Sequence, residues 1–95
     1  MAEIAIIGAG PAGGSAALFT AKAGKSTLLI DSNQSVTRKA WIENYYGILE
    51  TTGPDLVDIG IGQAKKFGAE VVQAKVTEIQ KTDEGFTILT ESGDA

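Results

Sequence analysis

The chain has 95 residues, a formal net charge of −4 and 43% hydrophobic residues, the proportions of one small globular domain. No run of basic residues is available to neutralise phosphates, which argues against nucleic acid or an anionic membrane surface as partner. The absence of cysteine and histidine excludes disulfides, CxxC redox pairs, thiolate metal sites and imidazole acid–base chemistry, so a bound cofactor is the expected source of any chemistry.

The first element lies in "IAIIGAGPAGGSAALF", Ile4 to Phe19, which continues uncharged to Ala21. Its 18 uncharged residues reach the lower limit of ~17–25 for a membrane-spanning helix. Glycines at 8, 10, 13 and 14 and Pro11 oppose one continuous helix, and no basic residue precedes the stretch as in a signal peptide. Neither membrane insertion nor export is expected, and the cytoplasm is the expected location. The stretch divides instead. Ile4 to Ile7 is a short apolar run suited to a strand buried on both faces.

Pro11 to Ala23 reads as a helix with Pro11 in its first turn, and Ala16, Ala17, Leu18 and Ala21 supply its small apolar face. Gly24 suits the left-handed residue that ends a helix. A second apolar run, Thr27 to Ile30, ends in Asp31. Gly8, Gly10 and Gly13 spell GxGxxG at the strand-to-helix turn. The first permits the tight turn, the second lets backbone approach a pyrophosphate, and the third lets helix and strand pack closely. The helix start then offers unpaired N–H groups and the positive end of its dipole to phosphates. Asp31 follows Gly13 by 18 residues, where a carboxylate can accept hydrogen bonds from ribose hydroxyls and disfavours a 2′-phosphate.

Ser32 to Thr52 is a long connection without clear periodicity, of the kind that is often functional. Within it Arg38 and Lys39 suit either a phosphate contact or a solvated basic pair, the second being the expectation. Trp41, Tyr45 and Tyr46 suit either stacking on a cofactor ring or covering a sheet edge. Gly53-Pro54-Asp55 opens a second helix, with Leu56, Gly60, Ala64 and Phe67 on one face and Val57 and Ile61 beside them. Gly60 and Gly62 each weaken that helix by ~1 kcal/mol against alanine, for which close packing is the expected reason. Lys65 and Lys66 suit the helix end, Gly68 closes it, and Val71 and Val72 centre a third strand. "VTEIQ" and "FTILT" flank Thr82-Asp83-Glu84-Gly85 as an antiparallel hairpin. Glu91 to Asp94 gives a further turn signal, and the chain ends where a return strand is expected.

The turn Gly8-Ala9-Gly10-Pro11-Ala12-Gly13 resembles the ADP-binding turn of FAD-dependent pyridine-nucleotide–disulfide oxidoreductases. "IENYYG", Ile42 to Gly47, and "GPDLVDIGIGQAKKFGAE", Gly53 to Glu70, are similar to the thioredoxin-reductase-like branch. The resemblance implies an α/β Rossmann-like domain occupying residues 1–95, with three parallel strands and an antiparallel hairpin or meander insertion. It spans only about the first half of the family's FAD domain, so an incomplete domain is expected. It implies FAD as cofactor, held by Gly8, Gly10, Pro11, Ala12, Gly13, Asp31 and Ser32, with Asn44 near the flavin and the Val76 backbone near the adenine.

The chain departs from the family at Ser32-Asn33-Gln34-Ser35, where glycines are usual, and at Tyr46, where proline is usual. The redox cysteines of thioredoxin reductases lie in a second nucleotide-binding domain that these residues do not include. Three readings stay open: the FAD-binding part of an oxidoreductase that takes electrons from NAD(P)H, an NAD-dependent dehydrogenase fragment, and a non-catalytic nucleotide-binding module. An uncovered first strand would also be an exposed edge, which makes self-association through it an expectation.

Overall fold

A computed structural model describes residues 2–91 and the backbone of 93 and 94. The apolar run at the start forms β1 (Ile4–Ile7), and Thr27–Asp31 forms β2. They pair in parallel from Ile4 opposite Thr27 to Ile7 opposite Ile30. Between them runs α1 (Pro11–Lys22), and Gly24 follows its end at φ 88. Two-residue strands β3 (Trp41–Ile42) and β4 (Thr51–Thr52) pair antiparallel and carry the chain into α2 (Gly53–Lys66). The third parallel strand, β5 (Glu70–Gln73), pairs with β2, giving the order β1-β2-β5. Finally β6 (Val76–Thr82), β7 (Gly85–Thr90) and β8 (Gly93–Asp94) form an antiparallel sheet. The three parallel strands and antiparallel meander are those expected. The return strand begins within the predicted last turn, since Gly93 and Asp94 already pair with Thr90 and Leu89.

Both helices pack on one face of the parallel sheet. Ala17 and Ala21 of α1, Leu29 of β2, Ala64 of α2, and Ala9 and Ala69 in the connections form a continuous buried core, with Ile6, Ile61 and Val71 packed against it. Alanines dominate this contact, so the helix backbones lie close to each other and to the strands. The two helix ends also meet. Lys22 Nζ and Lys66 Nζ lie 5.5 and 5.8 Å from the centroid of the Phe67 ring, within cation–π range. Period-two alternation sends the neighbours of Leu29 to the other face, where Leu28, Val72 and Ala5 share a groove with Phe86 and Ile88 of β7. Among the described residues β1 pairs only with β2, and Ile7 is 46% exposed.

Several local expectations change. Ala16 is exposed, and the buried face of α1 is Gly14, Ala17 and Ala21. In α2 the buried residues are Gly53, Val57 and Ala64, while Phe67 is exposed beneath its two lysines. Gly60 and Gly62 are not tightly packed: a Cβ at either would meet open space. The crowded glycine is Gly53, where a Cβ would overlap the carbonyl of Thr37. Its N–H donates to the Ala40 carbonyl at 2.8 Å, so the start of α2 lies directly against the backbone of the long connection. Thr52 caps this helix, accepting from the Asp55 N–H at 3.2 Å.

This contrast predicts opposite effects for two alanine substitutions within one helix. Gly53→Ala overpacks the Thr37 carbonyl and should lower stability by about 1–3 kcal/mol. Gly62→Ala meets no neighbour and should raise it by about 0.5–1 kcal/mol through helix propensity. Chemical denaturation of the two variants beside the parent chain checks both signs.

Candidate dinucleotide site

The site begins where β1 runs out. Gly8 donates its N–H to the Ile30 carbonyl at 2.9 Å, extending the β1–β2 ladder, and then turns the chain at φ 98. That left-handed conformation is open to glycine and strained for any residue with a Cβ. Two residues later Gly10 stands at the helix N-cap with extended backbone, and no side chain caps α1. The first turn holds no acidic residue, and the first internal bond runs from the Gly14 N–H to the Gly10 carbonyl at 2.8 Å. Pro11 has no N–H to leave unpaired, so the donors left at this end are the amides of Gly10, Ala12 and Gly13. They stand at the positive end of the α1 dipole, where negative charge is favoured.

Gly13 makes that surface possible. A Cβ there would overlap the Gly8 carbonyl oxygen and lie 3.4 Å from Ile6 Cγ2, so helix and turn meet backbone to backbone. On the other side a Cβ at Gly10 would come within 2.9 Å of Ser35 Oγ. Ser35 therefore lies against the mouth of the turn, where it also accepts from the Thr37 N–H at 3.2 Å and starts the 3₁₀ turn Val36–Lys39.

Asp31 ends β2 beside this turn and is 4% exposed. Its Oδ1 accepts from the Asn33 N–H at 2.8 Å, and its Oδ2 lies 3.8 Å from Arg38 Nη2. Arg38 also donates from Nη2 to Asp58 Oδ1 on α2 at 3.2 Å. Arg38 is thus a partly buried bridge rather than the solvated cation expected from sequence, while Lys39 is exposed.

Asp31 and Ser32 line a crevice of about 320 Å³ with Asn33, Gln34, Lys75 and Glu91 at the carboxyl ends of β2 and β5. Lys75 Nζ and Glu91 Oε1 lie 3.7 Å apart there. In open α/β sheets such a position is where ligands are held. Val76 is half-buried, opens β6 opposite Thr90 and follows Lys75 directly.

Asn44 is exposed on the loop between β3 and β4. The residues of that loop that reach the glycine turn are Tyr45 and Ile48. They share a cavity of about 150 Å³ with Gly10, Pro11, Leu18 and Leu56. Trp41 and Tyr46 are 60% and 100% exposed, and the Trp41 indole donates to Glu43 Oε1 at 2.9 Å, so neither covers the sheet. The structure therefore brings together the glycine turn, Asp31 and Ser32, with Val76 alongside and Asn44 apart. Sequence reasoning missed Ser35, Arg38 and Asp58. Their polarity was visible, but no periodicity or spacing marked the approach of the long connection to α2. Among the described residues no acidic cluster could hold a metal, and no helix is long and apolar enough to cross a membrane.

Comparison with known proteins gives a consistent picture. The model of the family described as pyridine nucleotide-disulphide oxidoreductase matches residues 2–95. The thioredoxin reductase of Listeria monocytogenes is 39% identical over 93 residues, which cover 95% of this chain and 29% of that protein. The thioredoxin reductase of Aquifex aeolicus is 41% identical over 97 residues, again 29% of its length. The crystal structure of an atypical thioredoxin reductase from Desulfovibrio vulgaris Hildenborough superposes with a TM-score of 0.88 at 40% identity, covering 100% of this chain and 33% of that one. The chain thus spans under a third of the length of the curated relatives cited here.

Two adjacent glycines provide an internal control on the site. Gly13→Ala should weaken ADP binding by about tenfold or more, because the methyl forces the helix start away from the turn. Gly14→Ala, where a Cβ would meet nothing within 4 Å, should leave it within about twofold. Calorimetric titration of each variant with ADP checks the difference.

Proposed function

The chain belongs to the pyridine nucleotide-disulphide oxidoreductase family, and on that footing we propose that it is the ADP-gripping part of an FAD-dependent, thioredoxin-reductase-like oxidoreductase. FAD is the cofactor of that family. One observation carries the assignment of the site. An uncapped helix start, free of acidic side chains, opens over a glycine turn that no larger residue could form, and the buried carboxylate of Asp31 stands beside it.

The residues present fit the cofactor. The Gly10, Ala12 and Gly13 amides would hold its diphosphate, with Gly8 and Pro11 fixing the turn that presents them. Oδ1 and Oδ2 of Asp31 would accept from the adenosine ribose hydroxyls. Ser32 would close the same crevice, and the backbone of Val76 would border the adenine. Asn44 is assigned to the flavin edge by its place in the family segment. Bound FAD supplies the electron transfer, and the protein supplies binding, orientation and electrostatics. A chain without cysteine or histidine suits that division of labour. NAD(P)H is the proposed electron donor and the cytoplasm the proposed setting.

Mixing the chain with FAD and separating free cofactor by gel filtration tests the proposal. A flavin band near ~450 nm that travels with the protein and is displaced by ADP is the expected result. Asp31→Ala should reduce the retained flavin. A chain that leaves FAD in the small-molecule fraction yet retains NAD would contradict the assignment.

A further inference from the structure

Asp31 has an unusual environment for a residue meant to receive a sugar. Its side chain is 5% exposed, and a carboxylate so placed needs a compensating partner. The Asn33 N–H takes one lone pair of Oδ1 at 2.8 Å. The cation beside Oδ2 is Arg38, at 3.8 Å. That separation exceeds the ~2.7–2.9 Å of a charge-assisted hydrogen bond. Arg38 therefore attracts Asp31 without occupying its remaining acceptor sites, of which a carboxylate has about four. The same Nη2 stands 3.2 Å from Asp58 Oδ1, within hydrogen-bond reach. Nη2 thus lies nearer to Asp58 than to Asp31. The Arg38 side chain is 19% exposed, and its Nε is buried without a hydrogen-bond partner among the described residues.

We propose that Arg38 is a positioning residue for the adenosine ribose, orienting the Asp31 carboxylate toward the crevice while Asp58 on α2 sets the distance between them. This rests on the dinucleotide reading of the site. The cluster of two carboxylates and one guanidinium sums to −1, which suits hydroxyl donors and repels a phosphate on the ribose. Lys75 faces the same crevice but is paired with Glu91, so Arg38 is the cation that acts on Asp31. Arg38 contacts the Asp31 carboxylate, so a positioning role must reach the ligand through the ribose hydroxyls.

Titrations of the 95-residue chain and its variants with ADP and with 2′,3′-dideoxy-ADP test this. Arg38→Gln should weaken ADP binding about tenfold and leave dideoxy-ADP binding unchanged, and Arg38→Lys should recover part of the loss. On an Asp31→Asn background, Arg38→Gln should have no further effect. Asp58→Asn, at a side chain 66% exposed, should weaken ADP about threefold but add nothing to Arg38→Gln, with thermal unfolding of each variant reporting any loss of fold. Equal losses for both ligands, additive losses with Asp31→Asn, or full ADP affinity in Arg38→Gln would overturn the proposal. If Asp31→Asn alone left ADP binding intact, or the parent chain bound no ADP, the underlying reading of the site would fall and the proposal with it.

Discussion

The candidate site depends on the approach of two backbones at Gly8 and Gly13. The carbonyl of the first occupies the space a side chain on the second would need. The start of α1 can therefore sit directly over the end of β1, with its unpaired amides facing outward rather than into protein. The alanine-rich core continues the same geometry away from the turn. Ala17, Ala21 and Ala64 keep both helices close to the sheet along their length. Larger residues at those positions would lift α1 and carry the amides away from the crevice.

The second constraint is electrostatic. In a chain of net charge −4, the positive potential at the glycine turn comes from backbone dipoles instead of basic side chains. Nearby, the fold buries a carboxylate and balances it with one arginine shared between two acids. The long connection bringing that arginine is itself fixed to α2. Gly53 donates to Ala40 and presses against Thr37, one residue before Arg38. Helix packing, loop placement and the Asp31 carboxylate are thus mechanically linked, although they lie far apart in sequence.

The elements with local signatures were legible from the residues alone. Alternation between apolar runs and glycine or proline punctuation located β1, α1, β2 and α2 to within a residue or two, and the hairpin turn at Asp83 and Glu84 was equally plain. What escaped depended on tertiary approach. Ala16 and Ala17 are chemically identical, and only the placement of the sheet decides that the second is buried. Gly60 and Gly53 look alike in a helix, yet only Gly53 meets another backbone. Arg38 reads as one more surface cation until the connection folds it between Asp31 and Asp58. Tyr45 reaches the glycine turn where Asn44, its neighbour, does not.

The most direct measurement is the amide spectrum of isotopically labelled chain during titration with ADP. The outward amides at residues 10, 12 and 13 should shift together and saturate, while those of the hairpin at residues 79 to 86 stay in place. Saturable shifts confined to the hairpin, with the three glycine-turn amides unmoved, would mean that the diphosphate is held elsewhere and that the bend serves packing alone.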